Sequence, residues 1–325
     1  MTKPRIGFLG VGWIGRSRME AMLATGLVEA AAIADQSPEM AAEAGKLAPG
    51  AALVDGLDAM LAMGLHGVVI ATPSALHAEQ SSQALEAGAA VFCQKPLGRD
   101  AAEAKAVVDA ARAADRLLAV DFSYRHTAGM AAIAELVRSG DLGRVFAVDL
   151  VFHNAYGPDK PWFYDRAQSG GGCVMDLGVH LVDLAMWCLQ ADAAEDVHAR
   201  LFAGGEPLSG DAVEDYAVAQ MRVSGAAVRL ACSWRVNAGV DAEIGATFYG
   251  TEGGAGFRNV DGSFYDFEAT RFRGTARETL AGPPDEWGGR AAADWARRLA
   301  AGARFDPAAK EIVSVARVLD KVYGG

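Results

Sequence analysis

Short apolar runs alternate with longer amphipathic ones along the first 120 residues. "RIGFLG", "VEAAAIAD", "GVVIATP", "AAVFCQKP" and "RLLAVDF" are apolar at both parities, which predicts strands buried on both faces. Between them lie stretches of helical length: one through Met22, then "SPEMAAEAGKLA", "LHAEQSSQALEAG" and "DAAEAKAVVDAARAAD". Ser37-Pro38 opens the second with a cap and a first-turn proline. This alternation predicts a parallel sheet covered by helices on both sides, a doubly wound α/β unit.

The texture changes near residue 122. "GRVFAVDLVFHN", "DYAVAQMRV", "AAVRLACSWRV" and "AEIGATFYG" alternate or run apolar over strand lengths, and no helix separates the last three. That predicts a mostly antiparallel sheet with one face packed on helices. Near the end, "DPAAKEIVSVARVLDKVY" starts on Asp-Pro and repeats apolar residues at helical spacing, so an amphipathic helix is expected. A chain of 325 residues exceeds what one core usually supports. The expected division is an α/β unit over 1–121 and an α+β unit over 122–325.

One segment breaks the pattern. In "GGGCVMDLGVHLVDLAMW" three glycines lead into an apolar run that still carries two acids and a histidine. On an α-helix, Asp176, His180, Asp183 and Trp187 fall on one stripe. Three readings suit those residue types. Carboxylates and an imidazole at this spacing can hold zinc, although no further His or Cys cluster accompanies them. A core helix explains Leu177, Leu181, Leu184 and Trp187, yet leaves buried ionisable groups to be satisfied. An acid beside an imidazole, whose ordinary pKa of about 6.5 lies near neutrality, can move a proton.

Composition narrows the classes. Just over half the residues are hydrophobic, 22% are charged, and the net charge of −11 comes with no basic run. This argues against nucleic acid or an anionic membrane surface as the main partner. "MTKPRIGFLGVG" reaches a strand with neither a signal-peptide pattern nor an apolar run long enough to span a bilayer. Cys93, Cys173, Cys188 and Cys232 are scattered, with no Cys-x-x-Cys pair. No metal site or disulfide framework is expected, and a reducing cytoplasm fits.

Gly10-Val11-Gly12-Trp13-Ile14-Gly15 follows the first strand and opens the first helix. That context makes the glycines a dinucleotide fingerprint and the parallel sheet a Rossmann unit. Gly10 allows the tight turn, Gly12 lets backbone approach a pyrophosphate, and Gly15 lets helix pack on strand. The phosphates would meet free N–H groups at the positive end of a helix. Asp35, twenty residues past Gly15, can accept both ribose hydroxyls of NAD and repels the 2′-phosphate of NADP. Gln36 and Ser37 supply no arginine for that phosphate, so NAD is expected over NADP. At the C-terminal sheet edge stand Thr72-Pro73-Ser74, with His77 close behind, and Gln94-Lys95-Pro96.

Taken in order, "GFLGVGWIG", "IATPSALHAEQSSQALEAGAAVFCQKPL", "FSYRHTAGMAAIAELVRSGDLGRV", the three-glycine segment and "YGTEGG" resemble the glucose–fructose oxidoreductase and inositol dehydrogenase (Gfo/Idh/MocA) family over nearly the whole chain. The resemblance implies an NAD-dependent dehydrogenase whose active site is Lys95, Asp176 and His180. It also implies a homodimer or homotetramer built through an open face of the C-terminal sheet. The family's usual Glu-Lys-Pro is Gln94-Lys95-Pro96 here, which keeps the size of the side chain and drops the charge beside Lys95.

In that reading His180 is the general base, Asp176 orients it or the substrate, and Lys95 holds the reacting oxygen and stabilises developing charge. The cofactor contacts expected are Gly10, Gly12, Trp13, Ile14, Gly15, Asp35, Thr72, Pro73, Ser74, His77, Gln94 and Lys95. The substrate expected is a secondary alcohol of a cyclic polyol, sugar or glycoside. Its grip would come from Arg125, His153, Asn154, Tyr156, Trp162 and Asp183, with Arg166 beside them; Trp234 and Trp287 read as structural. Two rival classes stay open. One is a family member that keeps NAD bound for redox-assisted elimination or hydrolysis, or that reduces imines. The other is a non-catalytic NAD-binding sensor on the same fold.

Overall fold

The computed structural model describes residues 2–324 and contains two compact units. The first comprises the chain up to Ser123 together with Gly288–Val313; the second comprises Tyr124–Trp287 and the residues from Ser314 onward. This departs from a single cut after residue 121. Helix Arg290–Ala300 belongs with the first unit because Trp295, 1% exposed, packs on Phe92 with ring centroids 6.0 Å apart. It also fills the space beside Gly67, where a Cβ would come within 2.7 Å of its ring. The apolar pattern marks that helix, but its partner lies some 200 residues earlier.

Strands β1 (Arg5–Leu9), β2 (Glu29–Ala34), β3 (Ala52–Leu53), β4 (Gly67–Ile70), β5 (Ala90–Cys93) and β6 (Leu118–Val120) form the parallel sheet of the first unit. Their order is β3-β2-β1-β4-β5-β6. The apolar runs are strands as expected, and β3 adds a two-residue edge. Ser37 caps helix Pro38–Gly45 by accepting the Met40 N–H at 3.3 Å, and Asp100 caps Ala101–Ala114. Ile6, Phe8, Met19, Met22, Ile33, Val69 and Phe92 make the core with Trp295. Each large side chain so buried contributes about 1.5–3 kcal/mol. Strand order reverses between β1 and β4, so the loops after these strands flank the crevice where such sheets bind ligands.

The second unit is built on β7 (Val145–Asn154), β8 (Ala194–Ala203), β9 (Glu206–Pro207), β10 (Tyr216–Val223), β11 (Ala226–Ser233), β12 (Ala242–Gly250), β13 (Gly254–Asn259), β14 (Phe267–Arg273) and β15 (Ala276–Ala281). The order is β15-β14-β13-β12-β7-β11-β10-β8-β9, antiparallel except for the parallel pair β7–β11. Along β10 the residues Ala217, Ala219, Met221 and Val223 are buried while their neighbours are not. One face is thus packed and the other open. Helix Ala128–Ser139 reaches the packed face through Gly129, where a Cβ would meet Ala269 and Phe257 at 3.0 Å.

By length and apolarity alone the helical stretch Arg166–Cys188 is long enough to cross a membrane. Its apolar window is 89% buried inside the protein, as in a core helix. The terminal helix Lys310–Val322 forms as expected, led by Asp306, which accepts the Ala308 N–H at 2.9 Å ahead of Pro307.

Candidate functional site

In the first unit the glycine turn is dictated by lack of room. Gly10 has φ +82°, and a Cβ on it would come within 2.5 Å of the Ala71 carbonyl oxygen; one on Gly15 would come within 2.1 Å of the Gly10 oxygen. At Gly12 the opposite holds, with nothing within 4 Å. Helix Trp13–Ala24 begins there without a side-chain cap, so the N–H groups of its first turn face that open space beside Ile14 and the exposed Trp13. This arrangement fits the pyrophosphate of a dinucleotide. Asp35 closes the same turn: its Oδ2 accepts the Val11 N–H at 2.7 Å and its Oδ1 the Ser37 N–H at 2.9 Å. Both oxygens keep a lone pair for a ribose.

On the other side of the crevice Pro73 precedes Ser74, the first residue of helix Ser74–Glu86, and the Thr72 hydroxyl donates to Gln80. His77 was expected to touch the cofactor, and the structure corrects this. It is 2% exposed, with Nδ1 2.7 Å from the Pro96 oxygen and Nε2 2.7 Å from the Thr72 oxygen. Both ring nitrogens face backbone carbonyls, and the ring N–H donates to one of them, bracing the loop after β4 against the residue next to Lys95. Burial pushes its pKa down, and the two carbonyls push back. The Lys95–Pro96 peptide is cis. Gln94 donates from Nε2 to Asp121 at 2.6 Å.

In the second unit the segment carrying Asp176 and His180 is not a uniform α-helix. Val174–Gly178 is a π-helical turn, and the α-helix proper is Val179–Cys188. Such a turn shifts the residues before it relative to those after it, so the expected single stripe is split. Trp234, read from sequence as structural, donates from Nε1 to the Asp176 carboxylate at 3.1 Å. Residue His180 is 8% exposed, and its ring centroid lies 4.9 Å from that of Tyr124 in a T-shaped arrangement.

At two of the three glycines protein atoms occupy the space beside the backbone. A Cβ on Gly172 would lie 1.9 Å from the Glu214 carbonyl oxygen, and one on Gly171 would lie 2.0 Å from the Tyr323 hydroxyl. The Glu214 side chain, 1% exposed, accepts N–H groups from Gly172 and Val174 at 2.9 Å and the Tyr323 hydroxyl at 2.7 Å. Its backbone oxygen takes the Cys173 N–H. Burial pushes the Glu214 carboxyl up, opposed by these donors. Glu214 therefore anchors the start of the Asp176 segment.

The expected substrate grip is regrouped. Asp183 is 1% exposed and paired with Arg125, whose Nε lies 2.9 and 3.1 Å from its two oxygens. That buried fork, with Arg125 over the Trp187 ring, replaces the expected hydroxyl contact of both residues. His153 is corrected as well. In register it pairs with Ser233, whereas Phe152 pairs with Cys232, and Cys232 Sγ lies 3.8 Å from Cys173 at the head of the Asp176 segment. Alternation sends His153 to the opposite, open face, where its Nδ1 lies 2.7 Å from the Ser233 hydroxyl and its ring stacks on Tyr216.

Asn154 accepts the Tyr156 N–H at 2.7 Å, and the exposed Tyr156 donates its hydroxyl to Asp241. Arg166 lies over the Tyr323 ring. Trp162 stacks on Phe163 at 3.8 Å, and Phe163 and Tyr164 both present edges to Trp234. A wall of rings thus leads to the Trp234–Asp176 bond. Among the described residues no three His, Cys, Asp or Glu side chains converge as a metal site would require. All four cysteines are free and buried. Trp287 is structural as read, its Nε1 donating to the Tyr265 oxygen.

Residues 4–122 match the model of the oxidoreductase family with an NAD-binding Rossmann fold, and residues 130–255 match that of the GFO/IDH/MocA C-terminal domain. The levoglucosan dehydrogenase of Pseudarthrobacter phenanthrenivorans is 30% identical over 210 residues, 58% of this chain and about half (51%) of that protein. The inositol 2-dehydrogenase of Rhodococcus erythropolis is 29% identical over 319 residues, covering 89% of this chain and 90% of that one. Among solved structures, levoglucosan dehydrogenase in complex with NADH and levoglucosan superposes with a TM-score of 0.84 at 24% identity, covering 99% of this chain and 97% of that one. At that identity the likeness is one of fold.

Proposed function

The chain belongs to the GFO/IDH/MocA oxidoreductase family, and from that premise we propose that it is an NAD-dependent dehydrogenase acting on a secondary alcohol of a cyclic polyol, sugar or glycoside. One observation carries the reading: a carboxylate and an imidazole four residues apart, at the start of a buried helix, with the carboxylate oriented by Trp234. In this reading NAD supplies the hydride acceptor. The glycine turn and the first-turn N–H groups of helix Trp13–Ala24 hold its pyrophosphate, and Asp35 holds the ribose hydroxyls. The Asp35 carboxylate favours NAD over NADP by charge.

His180 takes the hydroxyl proton as the carbon is oxidised. Asp176, held in place by the indole N–H, stabilises the imidazolium that forms. Lys95 donates to the reacting oxygen and offsets its developing charge. The rings of Trp162, Phe163 and Tyr164 give the ring-shaped substrate an apolar face to stack on. The open face of the nine-stranded sheet supports assembly of two or four copies, tested by the mass of the purified protein in solution. Four buried thiols suit a reducing compartment.

The test of the reaction is NADH formation by the purified protein across inositols, aldoses, amino sugars and glycosides. Turnover on one class fixes the reaction and the substrate. A blank panel with NAD still bound overturns the dehydrogenase reading in favour of a retained-cofactor enzyme or a sensor.

A further inference from the structure

We infer that Asp121 is a positioning residue for Lys95, and that it carries the negative charge that position 94 lacks. The inference rests on the role proposed for Lys95. Asp121 follows β6, is 1% exposed, and continues the ladder by donating its N–H to the Cys93 oxygen at 3.0 Å. Its Oδ2 accepts from two donors at once, Gln94 Nε2 at 2.6 Å and Arg18 Nε at 2.6 Å. Arg18 and Gln94 are themselves nearly buried. The Gln94 N–H donates to the Ile70 oxygen at 2.9 Å. Gln94 is therefore pinned by its backbone to β4 and by its side chain to the end of β6, and Lys95 is the next residue.

Charge explains the glutamine. The buried group holds one guanidinium and one carboxylate, so it is neutral as built. A glutamate at 94 would put a second carboxylate against Asp121 Oδ2, with no donor hydrogen between them and a single guanidinium to share. Like charges that close cannot both stay ionised at low cost. Glutamine has the same length and donates where glutamate repels. The charge has moved across one hydrogen bond, from the strand-five position to the strand-six position, rather than being lost.

The experiment compares wild type with Gln94→Glu, Asp121→Asn and the double variant, which reverses the charges across the same hydrogen bond. Thermal midpoint, kcat, its pH profile and the KM for NAD are measured for each, using the substrate found in the panel above. Each single variant is expected to lower the midpoint and to cut kcat by roughly 10- to 100-fold, the scale of a misplaced reacting group. The double variant is expected to recover most of both. A group that is only core packing would move the midpoint and leave kcat and its pH profile at wild-type values, which overturns the positioning role. A double variant no better than the worse single overturns the charge relocation. Lys95→Met is the separate control. If it keeps full turnover, the proposed role of Lys95 fails and the positioning role with it, while the 94–121 coupling in the thermal midpoint still stands or falls by itself.

Discussion

The two units hold their functional groups by different means. In the first, the polar groups of the glycine turn and the loop after β4 sit at strand ends and draw part of their support from near in sequence: Asp35 accepts the N–H of Ser37 two residues on as well as that of Val11 24 residues back, and His77 meets the oxygen of Thr72 five residues back as well as that of Pro96 19 residues on. In the second, Asp176 is held by an indole 58 residues away, and the backbone leading to it by a carboxylate about 40 residues away that is itself held by Tyr323, 109 residues on. A local motif keeps its shape through its own turns. A helix start buried in a core keeps its shape only if distant strands deliver the partners. The glycine turn should therefore tolerate change outside its motif, and the acid–imidazole half should respond to residues that look like packing.

The largest effect expected is at His180. His180→Ala should bind NAD as before and lose turnover by roughly 10²–10⁴-fold, the usual contribution of a placed acid–base group. Unchanged turnover would remove the pair from the mechanism and with it the contrast between the units. Next comes the indole. Trp234→Phe keeps an aromatic ring against Phe163 and Tyr164 but deletes the N–H donor to a carboxylate, a bond of about 1.5–3 kcal/mol. A fall in kcat of about 10- to 100-fold with the KM for NAD unmoved is expected, and a KM effect alone would return Trp234 to a packing role.

A smaller and more selective effect belongs to the first unit. Asp35→Ala should weaken NAD by about tenfold, the loss of a charged hydrogen bond, and weaken NADP much less. Equal losses in titrations of the two nucleotides would contradict the ribose assignment. The smallest effect is in pH dependence. Burial raises the Glu214 carboxyl above its unfolded value of about 4.3, so the folded state binds the proton more tightly than the unfolded one. Its contribution to stability is then greatest below that value and declines as pH rises through the raised pKa. Thermal midpoints of wild type and Glu214→Gln, measured from pH 4 upward, should show the wild type losing ground relative to the variant over that window. A constant gap would show that Glu214 titrates as it does in water.

Much of the molecule was legible before its coordinates. The alternation of apolar runs and amphipathic stretches marked the strands of the parallel sheet, the antiparallel character of the second sheet and the capped helices, because burial on one face or two leaves its period in the residues themselves. The glycine turn and Asp35 were legible for the same local reason: only glycine survives where a carbonyl oxygen stands 2.5 Å from a Cβ. The membership of Arg290–Ala300 was not, since nothing in its pattern says which core its tryptophan fills.

The site divides along the same line. Sequence by itself marked the candidates for chemistry: Lys95 at a strand end, and Asp176 and His180 within an otherwise apolar run. Tertiary structure alone decided which side chains stand beside them. A one-residue parity along β7 sent His153 to the far face, a guanidinium folded over from Arg125 took Asp183 out of reach, and strand ends brought Trp234 to Asp176 and Asp121 to Gln94. Hydrogen bonds to a buried carboxylate depend on where chains cross, and a crossing leaves no period and no spacing in the residues on either side of it.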